Sequence, residues 1–322
     1  MSCLPQSALK HKTTLDCPLP DPVISQLASH SRATSAQSVL NTSVLSVPSP
    51  VIIWGRMNAY AVDLQDVSVV RQERFLLAGI SLHVAPGTCC AILGPNGSGK
   101  STLVSVLSGY TWPSSGTVGI DGQVFGKVDL AGVRKGIGLI EPSRSPAFDG
   151  QMQVREVVAT GLFGTIRLPL RREVLPSQWR RVETEMELLQ LAHLRDHVFA
   201  QLSSGEQMKT LLARAMVAEA GLLLLDEPTA GLDMGARAAC VAALGRLLNR
   251  PHHSTVVIVS HHLDELPCGV DRVILLKQGR VFAAGPAQQI LSSDQLSRLF
   301  DCRVEVLRSN GRYVASVRLE NS

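Results

Sequence analysis

The sequence predicts an α/β fold with a buried, largely parallel sheet. Three short runs are almost wholly apolar, as strands covered on both faces are: Cys89–Leu93, Leu222–Leu225 and Thr255–Ser260. Stretches with helical patterning separate these runs, and such alternation is typical of parallel sheets. Two half-buried strands are predicted before them, over 61–70 and 76–84, because apolar and polar residues alternate there.

Two helices can be assigned from the spacing of apolar residues. The first covers 177–191 and has an apolar stripe, which we interpret as core rather than as a cofactor site. The stripe consists of Trp179, Val182, Met186 and Leu189. The second predicted helix runs from Met208 to Val217.

Composition excludes several functional classes. The chain has 322 residues, of which 45% are hydrophobic and 18% charged, enough for one large domain or two small ones. No run approaches the roughly 20 apolar residues of a membrane-spanning helix, so any membrane role requires a partner. A net charge of +4 is too small to indicate nucleic-acid binding. The seven cysteines form no CxxC pair, which favours reduced thiols over disulfides or a metal site.

Residues 1–56 differ from the rest in composition. They are rich in Ser, Thr, Pro and Gln and show no sustained periodicity. Two interpretations are open: a disordered N-terminal extension, or a start assigned too early, with Met57 as the true beginning. The second is favoured because the first patterned strand begins a few residues after Met57. The patterned domain is expected over 57–310, followed by a tail over 311–322.

A phosphate-binding loop is predicted directly after the strand Cys89–Leu93. Residues 94–101 match the pattern GxxxxGK[ST] and precede a helical stretch, the context that this motif requires. Glycines let backbone N–H groups approach phosphate oxygens, Lys100 would neutralise the β- and γ-phosphates, and Ser101 would offer its hydroxyl to Mg²⁺. The predicted loop residues are Gly94, Pro95, Asn96, Gly97, Ser98, Gly99, Lys100, Ser101 and Thr102.

Two carboxylates and a histidine follow the other apolar strands. Asp226 and Glu227 end the leucine run, and ligands bind at such strand ends in open α/β sheets. Asp226 is the expected Mg²⁺ partner, and Glu227 the expected base for the attacking water. His261 follows the third strand and is expected to sense the γ-phosphate; the adjacent His262 competes for this role.

A third motif connects these residues to a known family. The segment Leu202-Ser203-Ser204-Gly205-Glu206-Gln207 resembles the ABC signature in an LSxGE variant. Together with the phosphate loop, the run from Glu227 to Asp233 and the histidine, in that family's order, the chain resembles an ABC-family ATPase over about 60–300. The resemblance implies a P-loop NTPase fold: a RecA-like core, an antiparallel β-subdomain and an α-helical subdomain at about 141–218.

The resemblance also implies a dimer of identical or similar cassettes that binds ATP and Mg²⁺. In that family, the signature of one subunit covers the ATP held by the phosphate loop of the other. The residues expected to act across the interface are Ser203, Ser204, Gly205, Glu206 and Asp233.

Two positions depart from the family pattern. The residue expected to stack on adenine is Arg71 rather than an aromatic one, although a guanidinium can also stack on a base. The glutamine that normally follows the strand resembling 137–140 is missing. The sequence there reads Glu141-Pro142, and the nearest glutamine, Gln151, is too far along the chain. The glutamine's roles at Mg²⁺ and in coupling to a membrane partner are therefore in question.

Further segments resemble a bacterial subgroup near the metal-chelate and molybdate importers: Leu107–Pro113, the His261-His262 pair and Leu296–Phe300. The leading hypothesis is an importer-type ATPase subunit in the cytoplasm, peripheral on the inner face of the plasma membrane and bound to a transmembrane permease. A soluble ABC ATPase in regulation or repair is the alternative, which the missing glutamine favours. A non-hydrolysing ATP-binding module is a third hypothesis, opposed by the presence of Glu227 and His261.

Overall fold

The computed structural model describes residues 60–142, 146–170, 173–251 and 254–318. All of them belong to one compact unit, residues 54–322. The expectation for residues 1–56 lies outside the described part of the chain.

Twelve strands and eight α-helices can be described in these ranges. The strands are β1 (Val62–Arg71), β2 (Arg74–Val84), β3 (Cys89–Leu93), β4 (Ser115–Ile120), β5 (Gln123–Val124), β6 (Ile137–Ile140), β7 (Leu222–Asp226), β8 (Thr255–Ser260), β9 (Arg272–Lys277), β10 (Arg280–Pro286), β11 (Val304–Ser309) and β12 (Arg312–Val317). The helices are α1 (Lys100–Leu107), α2 (Leu130–Lys135), α3 (Val154–Thr160), α4 (Pro176–Leu188), α5 (Ser204–Val217), α6 (Met234–Leu248), α7 (Ala287–Ile290) and α8 (Ser293–Phe300).

The central sheet has six strands in the order β10-β9-β3-β8-β7-β6. Every pairing is parallel except that of β9 with β10, which confirms the predicted largely parallel sheet. Successive residues of β7 point into different cores: Leu223 packs with α4 and α5, whereas Leu224 packs with α1 and the second sheet. Burial on both faces explains why the strand is apolar throughout.

A second, antiparallel sheet has the order β2-β1-β4-β5. Its first two strands match the predicted ones within two residues. On β1 the buried side chains include Val62, Leu64, Val67 and Val69, while polar residues between them face outward. The alternation that predicted the strand therefore reflects one buried face.

The helical layer lies between β6 and β7 in sequence. Helix α4 buries Val182, Met186 and the adjacent Leu189, with Trp179 packed against the same core, as its stripe predicted. Helix α5 begins at Ser204, four residues before the predicted start, because Ser203 caps it: its hydroxyl accepts a hydrogen bond from the Glu206 N–H.

The last two strands form a hairpin in which Val304 pairs with Val317 and Ser309 with Arg312. The predicted domain limit at residue 310 lies in the turn of this hairpin, and residues 312–317 are a strand of the same unit. Among the described residues, no helix combines the length and the apolar character needed to cross a bilayer.

Candidate functional site

Parallel pairing brings the ends of three strands to one edge of the central sheet. Leu93 of β3 is level with Ser260 of β8, and Val259 of β8 is level with Asp226 of β7. The phosphate-loop motif, the two carboxylates and the histidine each begin at one of these ends. Segments separated by more than 100 residues in sequence therefore become neighbours.

The loop after β3 requires glycine at two positions. A Cβ on Gly94 would stand 2.2 Å from the carbonyl oxygen of Leu276. Gly99 has φ of +102°, and a Cβ there would stand 2.8 Å from the carbonyl oxygen of Leu76. The loop backbone thus lies against β9 and β2 at distances that exclude a side chain, and it turns directly into α1.

Lys100 opens α1 and is buried at the mouth of the loop. Its Nζ donates hydrogen bonds to the carbonyl oxygens of Gly94, at 2.9 Å, and Pro95, at 3.1 Å. Burial lowers the pKa of the ammonium, and the carboxylates of Glu227 and Asp226 oppose this shift. Within the described ranges, the buried Ser98 Oγ has no hydrogen-bond partner. An ammonium and a spare hydroxyl beside tightly turned backbone suit an anion with several oxygens.

Asp226 provides an oxygen suited to a hard cation. Its side chain is almost fully buried, with 5% exposed, and accepts a hydrogen bond from the Ser101 hydroxyl. Burial raises the pKa of the carboxyl to about 6; Glu141 and Glu227 add to the rise, while the Ser101 hydrogen bond and Lys100 lower it. Oδ1 of Asp226 finds no hydrogen-bond partner in the part of the chain that is described. A buried, unpartnered carboxylate oxygen beside a hydroxyl fits Mg²⁺.

Glu227 and His261 contact each other. Nδ1 of His261 lies 3.1 Å from Oε1 of Glu227, and each side chain is 31% exposed. Glu227 adopts a left-handed backbone conformation, φ +49°, in which its N–H still donates to the carbonyl oxygen of Val259. This conformation is uncommon outside glycine and is typical of functional sites. The backbone N–H of His262 instead donates a hydrogen bond to the Ser260 hydroxyl, and the ring of His262 packs on that of His261.

The signature segment lies on a different part of the molecule. Ser203 and Glu206 form a reciprocal cap, in which Oε2 of Glu206 accepts from the Ser203 N–H at 2.9 Å and from its hydroxyl at 2.6 Å. These bonds lower the pKa of Glu206. Gly205 packs so closely on α6 that a Cβ would stand 2.8 Å from the Ala236 Cβ. Ser203 and Ser204 are exposed at the start of α5.

Asp233 caps α6 next to this segment, accepting a hydrogen bond from the Ala236 N–H at 2.8 Å. The signature and Asp233 are thus joined through α6. Among the described residues, no hydrogen bond or ion pair connects the signature to the phosphate loop. The structure therefore brings Lys100, Asp226, Glu227 and His261 together, and it leaves the signature residues as a separate, solvent-facing group.

Two further residues complete the description. Arg71, the expected adenine contact, is exposed at the end of β1, level with Arg74 across the hairpin. Glu141 follows β6 and acts electrostatically on Asp226. Sequence reasoning treated this position only as a missing glutamine. The pairing of β6 beside β7 was the signal that could have identified it as a neighbour of the site.

Comparison with known proteins gives consistent results. Residues 77–230 match the family model described as "ABC transporter". The chain is 31% identical over 252 residues to the uncharacterized ABC transporter ATP-binding protein YlmA of Bacillus subtilis, covering 77% of this chain and 94% of that one. It is 34% identical over 238 residues to the hemin import ATP-binding protein HmuV of Nocardia farcinica, covering 73% and 78%.

Solved structures show the same similarity. A putative metal-chelate type ABC transporter in an inward-facing conformation matches with a TM-score of 0.65 and 23% identity, over 81% of this chain and 97% of that one, which supports the fold alone. CbiO1 of Clostridium perfringens, described as part of the transporter complex CbiONQ, gives 0.64 and 26%, over 75% and 94%. The dimeric cassette MJ0796 bound to ADP and Pi gives 0.58 and 26%, over 70% and 98%.

The raised pKa of Asp226 has a measurable effect on stability. A carboxyl with a pKa of 3.8 in the unfolded chain and about 6 in the fold favours folding at low pH, and this contribution is lost as pH rises through 6. Without nucleotide or metal, Urea unfolding at both values measures this. The same difference at both pH values would contradict the environment described for Asp226.

Proposed function

The chain belongs to the ABC transporter family of ATP-binding proteins, and from this premise we propose that Lys100, Asp226, Glu227 and His261 form its ATP-hydrolysing site. It is a cassette that binds and hydrolyses ATP. The observation that carries the assignment of residues is the 3.1 Å contact between His261 and Glu227 beside the buried Lys100 and Asp226. Each group has the chemistry that one part of the triphosphate reaction needs.

The roles follow from position. The loop N–H groups and the Lys100 ammonium bind the β- and γ-phosphates, for which Lys100 exchanges its carbonyl partners. Glu227 accepts a proton from the attacking water, and its left-handed backbone directs the carboxylate away from the line of β7. His261 donates toward the γ-phosphate while its Nδ1 stays at Glu227. Bound Mg²⁺ supplies charge neutralisation between the β- and γ-phosphates, and Ser101 and Asp226 would hold it.

The signature segment supports a dimer as the active form. Ser203, Ser204 and Gly205 begin a 14-residue helix whose free N–H groups and dipole favour an anion. Since this group is not joined to the phosphate loop of its own chain, a second copy would bring the two together. We propose a two-fold dimer with two ATP molecules between the copies, in which Asp233 lies near the interface. The dimeric form of MJ0796 with ADP and Pi supports this arrangement.

We propose further that the cassette serves a transporter, as the names of the hemin-import and CbiONQ relatives suggest. A transmembrane permease would then be its second partner and would hold it at the inner face of the membrane. Which solute is moved does not follow from the geometry of this site.

Replacing the proposed base tests the catalytic assignment. Glu227→Gln keeps the size of the side chain but cannot accept the water proton, so ATP turnover should fall by at least about 100-fold while ATP binding persists. With ATP and Mg²⁺ the variant should also accumulate as a dimer in size-exclusion chromatography with light scattering. Glu73→Gln, in the exposed turn between β1 and β2, is the matched control and should behave as wild type. A turnover rate for Glu227→Gln within twofold of wild type would reject Glu227 as the base.

Cell fractionation tests the permease. The tagged chain expressed in its own host should sediment with membranes through a low-salt wash and, after mild detergent extraction, elute together with a multi-span protein. If all of it stays in the supernatant while Glu227→Gln still dimerises on ATP, the transport proposal fails. The soluble alternative, which the absent glutamine favours, then takes its place.

A further inference from the structure

The position after β6 carries a charge at the metal side of the proposed site. β6 and β7 pair in parallel with Ile140 level with Leu225, so Glu141 follows at the level of Asp226. Side chains level with each other on adjacent parallel strands project from the same face, and such strands are about 4.8 Å apart. The negative charge of Glu141 accordingly acts on Asp226.

A second observation indicates that this pair faces a ligand. Asp226 is 5% exposed, and its Oδ1 has no hydrogen-bond partner in the described ranges, although the Ser101 hydroxyl bonds the same carboxylate. A buried carboxylate oxygen without a donor is costly unless a cation or a donor joins it. Glu141 is half-buried at the open side of this oxygen's strand.

The balance of charge around the site is unusual for a pocket that receives a polyanion. Glu141, Asp226 and Glu227 provide three carboxylates, and Lys100 is the ammonium that interacts with Asp226 and Glu227. ATP without a metal carries about four negative charges and meets this group directly. A divalent cation reverses the sign of the interaction, since hard cations prefer carboxylate oxygens.

We propose that Glu141 is a metal-side carboxylate of the ATP site: with Asp226 and Ser101 it favours the divalent cation that accompanies ATP, and it repels ATP that lacks one. The chain thereby selects the metal complex of ATP at the binding step. Where the family resemblance expects a neutral glutamine amide, this chain has a full charge. The inference rests on the proposed function, because it assigns a residue to the same site.

Equilibrium binding of a fluorescent ATP analogue, with Mg²⁺ and with EDTA, tests the inference without reference to turnover. The measured quantity is the ratio of the two Kd values, EDTA over Mg²⁺. Glu141→Gln removes one charge and keeps the shape, so the ratio should fall roughly tenfold, chiefly because the EDTA Kd decreases. Glu141→Ala should show the same direction, and Glu141→Asp should retain the wild-type ratio.

Glu219→Gln is the matched control. It removes the same charge, but Glu219 lies before β7, at the opposite end of that strand, where it pairs with Arg181. Its ratio should equal that of wild type, and thermal melts establish that each variant is folded. If both neutral variants at position 141 keep the wild-type ratio within twofold, the inference is wrong while the proposed function stands. If wild type binds no ATP even with Mg²⁺, the proposed function itself has failed.

Discussion

The parallel register of β3, β8 and β7 is the constraint on which the rest of the site depends. It places an ammonium, two carboxylates and an imidazole at one edge of a sheet whose interior is otherwise apolar. Desolvation at that edge raises the pKa of Asp226 and lowers that of Lys100. Both shifts mark groups whose charged forms are more favourable with a bound partner of opposite sign, namely a cation at Asp226 and a phosphate at Lys100.

Packing divides the remaining binding groups from this edge. The start of α5 is held by its own cap and by the close contact of Gly205 with α6, whose first turn is capped in turn by Asp233. These contacts give the signature a fixed shape while Ser203 and Ser204 stay exposed. Such a rigid, exposed anion site is suited to meet a phosphate held by another copy, so that ATP binding and association become coupled.

The sequence predicted the strands well where burial dictates composition. β3 and β8 have the expected bounds, because full burial leaves no polar residue inside them. Glycine and lysine spacing identified the phosphate loop because few other residues fit its backbone. Two features depended on pairings that no local pattern encodes. The early start of α5 follows from the cap at Ser203, and the place of Glu141 beside Asp226 follows from the neighbouring strands.

Mixing two inactive variants tests most directly whether one ATP is bound by two copies. Lys100→Ala disables the phosphate loop, and Ser204→Glu places a negative charge at the exposed start of α5, where a helix tolerates it but a phosphate does not. A mixed dimer contains one doubly disabled site and one intact site, provided that loop and signature come from different copies. We expect an equimolar mixture to hydrolyse ATP several times faster than either variant alone. A mixture no more active than its components, or full activity of Ser204→Glu as a monomer, would contradict the shared site.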